Sequence, residues 1–148
     1  MTKDVRFYEL SNTPLEKALP QLLYKIYDSL ETSMLLLFGE EGQVQVFNNL
    51  LWTFSSNKFL PHGIESDGAG NIEPLLLTTK EENLNKANIL VSTKLPANEE
   101  FSASFSRKIY MFPKEQNEQF ISKFQQLRNN QENATYWQQD ASGKWHDV

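Results

Sequence analysis

The chain has 148 residues, enough for one core and too few for two, and its composition is that of a soluble globular domain. A formal charge of −5 excludes the broad basic face of a large nucleic-acid footprint and leaves room only for a small local basic site. The absence of cysteine removes disulfides, thiolate nucleophiles and cysteine metal sites, and the apolar runs are far too short to cross a bilayer.

In chain order, MTKDVRFYEL carries no apolar leader, so a cytosolic location is expected, and Val5–Leu10 alternates as a strand does. Asn12 or Thr13 can cap a helix with Pro14 at its first position and Glu16 completing a capping box. Leu15, Ala18, Leu19, Leu22, Leu23, Ile26 and Leu30 follow at helical spacing. Pro20 inside that pattern predicts a kink or a later start near Leu19. Met34–Phe38 is continuously apolar, as a strand covered on both faces would be. Glu40–Phe54 is a second helix with Val44, Phe47, Leu51 and Phe54 as its stripe, and Glu65–Glu73 is loop. Leu75–Thr79, Ile89–Thr93 and Phe105–Phe112 are further strands, with loop at Pro96–Glu100. Lys114–Asn130 is the last helix, and Thr135–Gln138 with Lys144–His146 forms a closing hairpin. Strand–helix alternation through the first half predicts a single α/β domain over residues 1–148, with a mostly parallel sheet and helices on both faces.

Chemistry finds little purchase in this pattern. The first strand–helix junction, ELSNTPLEK, lacks the glycines of a pyrophosphate loop. Gly68-Ala69-Gly70 lies in a loop leading toward a strand, and no G-x-x-x-x-G-K-[ST] occurs. His62 and His146 stand in different segments without metal-ligand spacing, and His62 between Pro61 and Gly63 reads as a turn histidine. No serine sits in a G-x-S-x-G elbow. Neither a cofactor nor a metal is expected. An enzymatic or small-ligand domain using the strand-end crevice is the alternative reading. It would need polar groups such as Asn12, Glu40 and His62 to converge on a deep pocket.

Binding is better supported. Leu50–Gly63 reads LLWTFSSNKFLPHG, a run of aromatics around a polar turn. Trp52 stands more than a right angle from its helix's apolar stripe, so it faces outward if the helix continues that far. Phe59, Leu60 and Pro61 then join it in one patch. If the helix ends near Leu51, the same groups tuck beneath the loop. On the last helix Lys114, Ile121 and Arg128 recur every seven residues beside Phe120, Phe124 and Leu127. Basic heads along an apolar groove suit an acidic peptide with a hydrophobic end, although a solvated amphipathic helix has the same pattern.

VRFYEL, LLW followed by FLPHG, ANILVS and ATYWQQ, in this order from Val5 to Gln139, resemble the chi subunits of bacterial DNA polymerase III holoenzyme. The most telling element is Trp52, Phe59, Leu60, Pro61 and His62. The resemblance implies a Rossmann-like fold without nucleotide chemistry and a non-catalytic adaptor in a cytoplasmic, nucleoid-associated replisome. Its implied partners are the psi subunit of the clamp loader and the acidic C-terminal tail of single-stranded DNA-binding protein (SSB), with little direct nucleic-acid contact and no membrane. Trp52 and Phe59 match the psi-binding surface, joined here by Leu60 and Pro61. On the tail site, Phe124 falls on an aromatic position and Arg128 on a basic one. Basic positions of some members fall on neutral Asn117, Ile121 and Gln125, with Lys114 and Lys123 as neighbours. The implied tail site, Lys114, Ile121, Lys123, Phe124 and Arg128, is therefore weaker, differently placed or lost.

Overall fold

Leucine-rich runs without polar alternation have to be buried on both sides, and here they form the middle of one sheet. The computed structural model describes residues 4–30, 32–64 and 74–148. In chain order the elements are β1 (Asp4–Leu10), α1 (Leu15–Leu30), β2 (Met34–Leu37), α2 (Glu41–Thr53), β3 (Gly63–Ile64), β4 (Leu75–Thr78) and β5 (Ile89–Ser92). They continue with α3 (Glu99–Ala103), β6 (Arg107–Pro113), α4 (Asn117–Asn129), β7 (Asn133–Gln139) and β8 (Trp145–Asp147). The sheet order is β3-β4-β2-β5-β6-β1-β7-β8. Every pairing is parallel except the closing β7–β8 hairpin. The α/β architecture with helices on both faces is as the alternation predicts.

Side chains alternate across the sheet and sort its core into two faces. Leu10, Met34, Leu36, Leu75, Leu77, Ile89, Val91, Ile109 and Met111 pack with α1 and α2. On the other face Val5, Phe7, Tyr110, Phe112 and Tyr136 pack with α4, where Phe112 and Phe120 stack at 3.9 Å. Leu35, Leu37, Leu76 and Leu90 meet Phe101 and Phe105 around α3.

Several local expectations change. No capping box forms before α1, because Thr13 gives its N–H to Gln139 Oε1 (3.1 Å) and takes a bond from Gln139 Nε2 (2.8 Å). The Pro14 carbonyl instead accepts from Lys17 and Ala18. The helix runs through Pro20 from Leu15, so there is no later start. Part of the expected Pro96–Glu100 loop is α3, capped by Asn98 Oδ1 accepting from the Phe101 N–H (3.1 Å). Phe105 is not in a strand but is fully buried against Phe101. Lys114–Gln116 is a 3-10 turn, so α4 starts only at Asn117. The short strand β3 was not anticipated. The Glu65–Glu73 loop, with Gly68-Ala69-Gly70, lies outside the described residues.

Burial pushes the Tyr110 phenol up to about 12. Burial, together with the Glu9 carboxylate, also raises Tyr136. A phenol raised in the folded state keeps its proton while the unfolded chain ionises from about pH 10. The folded state then binds more protons, and stability falls as pH rises above about 10. Tyr110→Phe is expected to flatten that fall by up to about 1.4 kcal/mol per pH unit, read from denaturant midpoints between about pH 9 and 12. An unchanged slope would remove Tyr110 as its source.

Candidate functional site

Helix α2 continues to Thr53, which settles the orientation of Trp52. Val44, Phe47 and Leu51 are buried, while Trp52 is 54% exposed. Phe59 returns beside it at 61% exposure, with ring centroids 5.8 Å apart. Covering the open parts of both rings would remove on the order of 200 Å² of apolar surface from water, about 5 kcal/mol before the costs of association.

The loop behind these rings is built to hold them. From Phe59 the chain is extended, so alternate residues turn inward. Leu60 is completely buried in the core beneath α2. It therefore anchors the patch from below and presents nothing to a partner, which corrects its expected place on the surface. Pro61 is half-buried. His62 is only 6% exposed and lies under Trp52, ring centroids 4.4 Å apart. Its Nδ1 is 2.9 Å from the Leu60 carbonyl and its Nε2 3.1 Å from the Asn48 carbonyl. The second bond ties the loop to α2 and fixes the shelf on which Trp52 rests. His62 is thus a turn histidine, as its neighbours suggest, with an added supporting role that the sequence does not reveal.

The last-helix residues are not all brought together. Phe124 packs over Phe7 and Tyr136, with centroids at 5.8 and 5.4 Å. Arg128 lies one turn on, its Nη1 donating to the Ala134 carbonyl at 3.3 Å. Both line a surface pocket of about 410 Å³ with Gln125, Thr135, Asp147 and Val148. Ile121 is half-buried on the same flank. Lys123 stands roughly 140° around the helix from Arg128 and pairs with Glu99 of α3 at 3.7 Å. Lys114 sits in the 3-10 turn, about 20 Å along the axis from Arg128. Asn117 is turned to the Glu9 carboxylate, donating at 3.0 Å, and Gln125 lines the pocket. The pocket therefore pairs one aromatic with one cation and faces one carboxylate, Asp147.

At the carboxyl ends of the strands lies an open crevice of about 700 Å³, lined by Glu16, Glu40, Lys94 and Gln116 among others. Of the three groups expected to converge there only Glu40 lines it, and His62 belongs to the Trp52 shelf. Lys94 is paired with Glu81 at 3.5 Å, so an anionic substrate would meet carboxylates. Among the described residues, no group of three or more His, Cys, Asp or Glu could hold a metal ion. Nor is any helix among them long and apolar enough to cross a membrane.

Residues 1–134 match the family described as DNA polymerase III chi subunit, HolC. The chain is also similar to the protein named "Probable DNA polymerase III subunit chi" of Rickettsia prowazekii (strain Madrid E). The two are 27% identical over an alignment covering 95% of this chain and 89% of that relative. With this match to all but its last residues, the chain belongs to the DNA polymerase III chi subunit family.

Proposed function

We propose that this chain is a non-catalytic accessory subunit of DNA polymerase III that joins the clamp-loader assembly to single-stranded DNA-binding protein. The observation that carries the reading is the Trp52–Phe59 pair, two large rings held side by side in solvent by a buried histidine shelf. Paired exposed aromatics on a rigid base suit the centre of a protein interface, where a few large side chains dominate the energy. The psi subunit is the partner assigned to this patch, because Trp52, Phe59 and Pro61 fall on the matching positions of the chi pattern. The Phe124–Arg128 pocket is assigned to the SSB tail: its apolar floor suits a hydrophobic end, and Arg128 a carboxylate.

Trp52→Ala is expected to weaken psi binding by about 2 kcal/mol or more, measured by calorimetry, while leaving folding stability within about 0.5 kcal/mol. Full retained affinity would take Trp52 out of the interface. For the second site, titration with the SSB tail peptide should give binding that weakens with added salt and is lost in Arg128→Ala. Asp147→Asn removes a like charge from the pocket rim and should tighten tail binding a few-fold. A flat titration at low salt would sink the tail assignment without touching the Trp52 surface.

A further inference from the structure

The β1–β7–β8 wing of the sheet carries a feature that neither site uses. On the α1/α2 face, α1 lies chiefly over β6, with its flank against Tyr8 and Trp145, and α2 lies over β3 and β4. Alternation and register place Tyr8 directly beside Trp137, with Trp145 on the next strand over the same face. Tyr8 and Trp145 meet edge to face, centroids 5.3 Å apart. All three rings are half-buried, and Trp137 makes no ring contact or side-chain hydrogen bond among the described residues.

Cations flank these rings. Lys17, Gln21 and Lys25 follow one another along the flank of α1 and line a groove of about 390 Å³ together with Tyr8 and Trp145. Both lysines are exposed, and among the described residues no carboxylate pairs with them. Arg6 and Arg107 lie on the same face of β1 and β6 and share one carboxylate, Asp4, at 3.0 and 3.1 Å. Near these four cations stand Asp4, Asp28 next to Lys25 on α1, Asp140 at the hairpin turn bonded to His146, and Asp147 opposite Trp137. Two exposed lysines without carboxylate partners among the described residues, beside three aromatic rings on one sheet face, stand out on a chain whose formal charge is −5.

We propose that this wing is a stacking platform for single-stranded DNA. Bases would lie on Tyr8, Trp137 and Trp145, and phosphates would run along Lys17 and Lys25, as on other sheet surfaces that bind single strands through ring faces and flanking cations. Lys17 and Lys25 are separated by about 12 Å along the helix, a span for about three nucleotides. The footprint is small enough to agree with the acidic chain as a whole. It lies on the opposite sheet face from α4, and it needs neither proposed protein partner.

The test titrates the full chain into a fluorescein-labelled oligo-dT of about twelve nucleotides at low salt, reading anisotropy and tryptophan quenching. Binding is expected, with log affinity falling against log salt at a slope of about −1.5 to −2. Trp137→Ala should weaken it about tenfold. Lys17→Glu with Lys25→Glu, two exposed changes that leave the core intact, should weaken it at least as much. Lys86→Glu, outside the wing, should leave it unchanged. No binding by the unmodified chain would overturn the proposal, as would equal binding by the double charge reversal. Equal competition by a duplex of the same length would also overturn it, because stacked base pairs cannot present their ring faces to the platform.

Discussion

One buried carboxylate fastens the first strand to β7 and to α4. Glu9, near the end of β1, is 7% exposed, and an ion so far from water is costly unless donors surround it. It accepts from Tyr136 Oη at 2.5 Å, Asn117 Nδ2 at 3.0 Å and Gln138 Nε2 at 3.3 Å. Those donors come from β7 and from the first residue of α4. A single side chain thus fastens strand to strand and helix to sheet, at the end of α4 where the helix dipole favours negative charge. Removing it would leave a buried tyrosine hydroxyl and two amides to find other partners.

The surfaces on either side of β7 depend on that fastening. With its first turn pinned, α4 lays Phe120 on Phe112 and carries Phe124 over Tyr136, which sets Arg128 beside the start of β7. Asn117 is committed to Glu9. A cation at that position would have the same carboxylate within reach. The beginning of α4 is therefore structural in this chain, and any recognition by the helix falls to its other end. Gln139 acts similarly one step along, where its Oε1 accepts from the N–H groups of Ser11, Asn12 and Thr13 and fixes the turn into α1.

How much of this could be read beforehand follows from the range of each interaction. Buried strands and long helices announce themselves through runs and periods, so β2, β4, β5 and α2 fall near their expected places. The outward turn of Trp52 was legible for the same reason, since α2 is long enough to define a face. Helix α3, at five residues, is too short to show a period, and its fixing contacts come from Asn98 and two phenylalanines that read equally well as strand. Leu60 was misplaced because composition says that a loop is apolar but not which alternate residue turns inward. Lys123 entered the expected tail site only through the family resemblance, as a neighbour of positions that are neutral here. The Glu99 that draws it aside lies on α3, and only tertiary packing brings α3 near. The role of His62 was hidden in the same way, its second carbonyl partner being fourteen residues back.

Parallel topology explains why the aromatic wing escapes a reading along the chain. Tyr8 and Trp137 are neighbours in space because β1 lies between β6 and β7, which brings the first and last parts of the sequence side by side. The same order separates the surfaces. The Trp52 patch sits at the end of α2, which packs against β3 and β4 at one end of the sheet, and the wing occupies the other. Four strand intervals, about 19 Å, separate β4 from β1, and α1 bridges part of that distance, because Lys25 lines one pocket with Phe54, Ser55 and Lys58 of the loop beside Trp52. The Phe124–Arg128 pocket and the wing share the β7–β8 hairpin, with Asp147 lining the pocket and lying opposite Trp137 in register. One carboxylate thus contributes to the field over both surfaces, while Lys25 at the other end of the wing groove borders the loop that carries Phe59.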